Sequence, residues 1–158
     1  MIARLIYLSV VLASALLLGL GMYYQYALGL RPCAGTVLTR YALIFAGLFA
    51  LFAVAVDAGK IVRIVLSACI GVISLLGAVL ATQQSWPRHV PLDFATLGVN
   101  VESAVRSLPL ADVLPAFFVG SADCAGARWN IIGVAASQWA LAAFALFVLA
   151  AYLAARRD

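Results

Sequence analysis

Residues 5–30 read LIYLSVVLASALLLGLGMYYQYALGL, a run without one charged side chain. As a helix rising about 1.5 Å per residue, it is long enough to cross a hydrocarbon core roughly 30 Å thick. Its Leu and Ala content, and its lack of period-two alternation, favour a helix over a strand. The run exceeds the roughly 7–15 apolar residues of a signal peptide, and Gly29-Leu30-Arg31-Pro32 at its end is not a small-residue cleavage site. It therefore reads as a retained membrane helix.

Three further charge-free gaps follow, at 41–56, 64–87 and 129–155. The chain thus predicts an all-α membrane protein: one domain over 1–158, a four-transmembrane-helix bundle with spans at about 5–28, 41–56, 64–82 and 131–153. Composition agrees. Hydrophobic residues make up 66% of the 158 residues and charged residues 10%, against roughly 45–50% and about 25% in soluble domains. The mean hydropathy is +1.12. A soluble core cannot hide so much apolar surface, and a disordered tail needs the opposite composition. The net charge of +4 is scattered singly, which excludes the basic stripe of a nucleic-acid binder.

The short flanks 1–4, 57–63 and 156–158 carry Arg4, Lys60, Arg63, Arg156 and Arg157. The much longer loops 29–40 and 83–130 carry no more: Arg31, Arg40, Arg88, Arg106 and Arg128. Basic density therefore puts both termini in the cytoplasm and both loops outside, in the periplasm of a bacterium. Gly19, Gly21, Ser67, Gly71 and Gly77 either let helices approach closely or reflect the ordinary frequency of small residues in membranes. In the long loop, Trp86-Pro87 ends the third span and Leu108-Pro109-Leu110 breaks a short helical stretch. The apolar segment 111–119, with Val113, Leu114, Phe117 and Phe118, is expected to lie on the membrane surface.

Of three cysteines, Cys69 falls inside the third span and reads as a small buried hydrophobe. Cys33 and Cys124 fall in the two outer loops, on the oxidising side. Topology leaves Cys33–Cys124 as the one feasible pair; the alternative is two unrelated thiols. Pro32 keeps the chain extended before Cys33 and lets a helix begin just after it. A helix N-terminus and the flanking Arg31 and Arg40 favour a thiolate there. Arg40, about two turns into such a helix, is either a snorkelling anchor or a donor to the carbonyl oxygen of a membrane-dissolved ligand. The outer cysteines plus His89 are too few for zinc, and no metal site is expected.

Tyr24-Gln25-Tyr26-Ala27-Leu28-Gly29-Leu30-Arg31-Pro32-Cys33, continuing to Arg40-Tyr41-Ala42-Leu43, resembles the start of the DsbB family. Further agreement comes from Leu108-Pro109-Leu110, Val113-Leu114-Pro115, Gly120-Ser121-Ala122-Asp123-Cys124-Ala125, Trp129 and Gln138-Trp139. The resemblance implies a multi-pass protein of the bacterial inner membrane that reoxidises a periplasmic DsbA-like thiol oxidase. Electrons pass to ubiquinone or menaquinone. It implies Cys33 as the quinone-proximal sulfur, Cys124 as its inter-loop partner, and Arg40 and Thr36 at the quinone.

Departures are as informative. The family's Cys-x-x-Cys here reads Cys33-Ala34-Gly35-Thr36, and the upstream cysteine of the long loop is missing near Thr96. A histidine expected after the third helix is replaced by Gln84. Thr36 can hydrogen-bond a thiolate but cannot form a disulfide, so a four-cysteine relay cannot run. Two readings remain under the resemblance. One is a shortened relay through a single Cys33–Cys124 disulfide, which exchange chemistry permits. The other is a natural or engineered variant without turnover, holding that bond as a static crosslink. Closing a loop of about 90 residues would stabilise by roughly 4–5 kcal/mol. The competing class is a non-catalytic four-helix scaffold. Transport is disfavoured, since no ionisable group lies between the ends of the expected spans.

Overall fold

The computed structural model describes residues 2–29, 34–56, 59–85, 118, 130–131 and 134–156. Four long helices dominate: α1 (Ile2–Leu28), α2 (Ala34–Ala55), α3 (Lys60–Ser85) and α4 (Ala136–Arg156). All four are long and apolar enough to cross a membrane. Gly29 closes α1 with φ of 61°, its N–H donating to the Tyr26 carbonyl at 3.3 Å; a residue without Cβ adopts this left-handed turn at no steric cost.

The helices depart from the hydropathy spans at their ends. α2 starts at Ala34 rather than near 41, because nothing after Pro32 breaks a helix and Arg40 finds a polar partner inside the protein. α3 runs on to Ser85 and takes in Gln84. α4 starts at Ala136. The residues before it form a minimal antiparallel ladder, β1 (Asn130–Ile131) and β2 (Val134–Ala135), pairing Asn130 with Ala135 and Ile131 with Val134. β-Branched Ile131 and Val134 suit extended backbone better than a first helical turn.

Pairwise contacts fix the direction of each helix. Gln25 near the end of α1 meets Arg40 near the start of α2, so these two run antiparallel. Tyr7 reaches Ser67 and the Arg63 carbonyl, so α1 and α3 run parallel. Gly71 faces Ala151 and Gly77 faces Phe144, so α3 and α4 run antiparallel. The result is an up-down-up-down bundle with Ile2 and Arg156 at one end, the Arg63 end, and Arg40 at the other.

The core is built from small residues with a few large ones between them. Ala46, Ala50, Ile70, Phe144 and Ala154 are fully buried, beside Tyr7, Val10 and Phe147. The outside is the reverse of a soluble protein: Leu5, Leu8, Leu12, Leu16 and Leu20 form an exposed row along α1. Exposed Tyr23, Tyr26 and Trp139 lie toward the Arg40 end, the position of an interfacial aromatic belt. At the opposite end the Arg156 guanidinium lies 4.5 Å from the centre of the Tyr152 ring.

The small residues divide. A Cβ at Gly77 would sit 2.4 Å from Phe144 Cζ, and one at Gly71 would sit 3.9 Å from Ala151 Cβ, whereas Gly19 and Gly21 have nothing within 4 Å. Close helix approach therefore explains Gly71 and Gly77 and not the α1 pair. Ser67 is used differently, sharing a 2.7 Å hydrogen bond with the Tyr7 hydroxyl in the core. Between helices in lipid such bonds contribute about 0.6 kcal/mol on average.

Candidate functional site

Arg40 is the seventh residue of α2 and is only 6% exposed. Its Nη2 donates to Oε1 of Gln25, a side chain 7% exposed in the last turn of α1. A guanidinium offers only donors, so the amide must present its oxygen. Gln25 is neutral, and no acidic side chain occurs among the described residues. The site thus holds a buried cation with the Gln25 amide as one of its acceptors. A snorkelling role fails, because the Arg40 head is packed against protein.

An aromatic wall adjoins this pair. Tyr41 follows Arg40 and stacks on Phe45, with ring centres 6.5 Å apart. Tyr41 also meets Phe118, at 5.2 Å and an interplanar angle of 55°. Phe118 is 2% exposed and packs with Val37 and Tyr41, flanked by Met22, Leu38 and Ile44. This corrects the expectation for the segment 111–119 at the one position described: Phe118 turns into the bundle rather than onto lipid. Protein already supplies an apolar seat there, and burying an aromatic ring removes about 150–250 Å² from water. The rest of that segment lies outside the described residues.

Thr36 sits one turn before Arg40, half-buried in the first turn of α2. Thr39 donates back to the Gly35 carbonyl at 2.9 Å, which occupies its hydroxyl within the helix. Cys33 and Cys124 lie outside the described residues. Their chain neighbours are informative all the same. Cys33 directly precedes α2, and Cys124 follows Phe118 by six residues. Cys69 is a half-buried free thiol inside α3, far along the chain from this cluster.

The structure thus gathers Arg40, Thr36, Gln25, Tyr41 and Phe118 at one end of the bundle. Gln25 received no role from the sequence, though a signal was present. It is the one amide in the charge-free run 5–30, and a polar side chain in a membrane helix needs a partner. Chemically, a buried guanidinium suits a ligand that presents an electron-rich oxygen.

Residues 3–154 match the protein family described as Disulfide bond formation protein DsbB. A Disulfide bond formation protein B of Aromatoleum aromaticum is 34% identical over 150 residues, covering 95% of this chain and 90% of its own. That of Verminephrobacter eiseniae is 35% identical over 138 residues, covering 87% and 77%. That of an Azoarcus strain is 32% identical over 149 residues, covering 94% and 89%. No solved structure matches the chain.

Proposed function

This chain belongs to the disulfide bond formation protein B family, multi-pass membrane oxidoreductases of disulfide formation, and we propose that it works with two loop cysteines where the family pattern has four. The reading is a Cys33–Cys124 disulfide that oxidises a DsbA-like thiol partner on the periplasmic face of a bacterial inner membrane. Both termini lie in the cytoplasm, as the basic flanks favour.

The observation that carries this reading is the seat of Phe118. Six residues of chain reach at most about 20 Å, and Phe118 is packed with Val37, four residues after Cys33 in the sequence. An anchored Phe118 would thereby keep Cys124, six residues on, within chain reach of the start of α2.

The exchange balances with two cysteines. A partner thiolate attacks Cys124 Sγ, a mixed disulfide forms, and Cys33 leaves as a thiolate. The N-terminus of α2 and the flanking arginines favour that thiolate. The partner's second thiolate then attacks its own mixed-disulfide sulfur and frees Cys124. The partner has lost two electrons and two protons, and Cys33 and Cys124 hold them as thiols. The family is quinone-linked; when bound, a ubiquinone or menaquinone supplies a two-electron, two-proton sink. Arg40 would hold a ring oxygen. Thr36, standing where the family has its second thiol, could donate a hydrogen bond to a Cys33 thiolate.

The test is a thiol count followed by turnover. The protein is purified without reductant, denatured, labelled with a maleimide and weighed. One label, on Cys69, is expected, followed by quinone-dependent oxidation of a reduced DsbA-like protein. Three labels would defeat the two-cysteine relay. One label without oxidation would leave a static crosslink in a scaffold.

A further inference from the structure

A hydroxyl on a membrane helix can fold back onto a carbonyl of its own backbone, and this chain shows that habit. Ser9 donates to the Ile6 carbonyl at 2.7 Å, Thr39 to that of Gly35 at 2.9 Å and Thr82 to that of Ala78 at 2.9 Å. Ser14 and Ser74 do otherwise. Ser14 is 2% exposed and Ser74 0%, and neither hydroxyl has a hydrogen-bond partner among the described residues. Lipid offers a hydroxyl nothing, so a buried one has to be satisfied inside the protein.

The two serines stand in register. α1 and α3 run parallel on opposite sides of the core, each packed beside α2 and α4. Tyr7 of α1 meets Ser67 of α3 across that core at 2.7 Å. One heptad on, the same seam brings Ser14 level with Ser74, because a seven-residue step returns a helix nearly to the same face. Tyr7 reaches across because its ring carries the hydroxyl. Ser14 carries its hydroxyl a ring's length short, so a direct bond to Ser74 is out of reach. Gly47 of α2 flanks Ser14, where an added Cβ would come 3.2 Å from the serine Cβ and 3.5 Å from its Oγ. At that position α2 brings no side chain to the hydroxyl.

We propose that Ser14 and Ser74 form an internal hydration site, holding a water molecule between α1 and α3 near the middle of the bundle. Water fits the chemistry. It donates and accepts as each hydroxyl does, and a buried water ordinarily takes roughly two to four polar partners. An ion does not fit, because residues 5–28, 41–55, 64–85 and 136–155 carry no charged side chain to compensate one. An apolar guest would leave both hydroxyls unpaired. The water extends the Tyr7–Ser67 link by one heptad and ties α1, the least buried of the four spans, to the far side of the core.

The test uses the full chain in detergent micelles, deuterated at carbon and protonated at its amides. Magnetisation transfer from water to the backbone amides is recorded by NMR. The parent is expected to give water cross-peaks at the amides of Ser14 and Ser74, in the apolar middle of their helices. Ser14→Ala should erase the cross-peaks at both positions, and so should Ser74→Ala, because one hydroxyl alone does not hold the water. Ser67→Ala, at the directly bonded pair, should leave them in place. The alanine variants stay folded, since a hydroxyl and the water on it leave together; unchanged amide shifts away from the site verify this. No cross-peak in the parent would mean dry hydroxyls and would overturn the site. Loss confined to the substituted position would mean that each serine exchanges with solvent by itself, and the shared water would fall. Cross-peaks that survive both substitutions would overturn it equally.

Discussion

The ring of Phe144 lies directly on the backbone of Gly77, so that a Cβ at Gly77 would come within 2.4 to 2.8 Å of three ring carbons. The contact joins α3 to α4 in the middle of the bundle, and Phe144 is fully buried. Gly77→Ala should therefore destabilise the protein by about 1–3 kcal/mol, the usual cost of overpacking. A detergent melt measures it. Adding Phe144→Leu should recover part of the loss, because the two positions share one space. Equal midpoints for Gly77→Ala and the parent would contradict the packing described.

Tyr7 and Ser67 make a buried hydroxyl pair across the bundle, whereas the buried hydroxyl of Ser74, one heptad further along α3, has no hydrogen-bond partner. Tyr7→Phe and Ser67→Ala should each cost about 0.5–1 kcal/mol, and the double variant little more than either. Ser74→Ala should be neutral or stabilising, since an unsatisfied buried hydroxyl is removed. A melt series over these four variants separates the two cases.

Phe118→Ala should remove the long loop's anchor on Val37 and Tyr41. A fully buried Phe truncated to Ala costs about 3–5 kcal/mol at its site. The expected signature is slower formation of the Cys33–Cys124 bond and a lower rate of partner oxidation, with the bundle's own melting little changed. Rates of thiol loss after reduction and quenching would show it. An unchanged rate would detach Phe118 from the redox site.

Cys69→Ala should leave partner oxidation intact and shift stability by no more than about 1 kcal/mol. Cys33→Ser and Cys124→Ser should each abolish oxidation. Comparison of the three by the same coupled assay checks whether the half-buried thiol of α3 stands outside the chemistry.

The four helices were legible because residues 5–30 and the gaps after Arg40, Arg63 and Arg128 carry no charge, and burying charge in lipid is costly. Helix ends were less legible. Hydropathy stops at Arg40, while the helix continues back to Ala34 because Gln25 on another helix receives the guanidinium. No one-dimensional window contains both residues. The ladder at Asn130–Ala135 was hidden for a related reason, since its residues are as apolar as the span they precede. At the site, Arg40 stood out by residue type. Gln25 and Phe118 did not, because their roles come from what the fold sets beside them. Phe118 in particular sits in a segment whose apolar character suits lipid and protein equally well.

The burial of Phe118 has a consequence in the arithmetic of encounter. Without an anchor, Cys124 would search a volume set by a loop of more than forty residues. Under the two-cysteine reading, an anchor six residues away would confine it within about 20 Å of a fixed point, which corresponds to an effective concentration on the order of 10 mM or more. At such a value an intramolecular thiol outcompetes soluble thiols that are present only at micromolar levels. One phenylalanine, making no covalent bond, would thereby set the odds of which sulfur Cys33 meets first in the proposed relay.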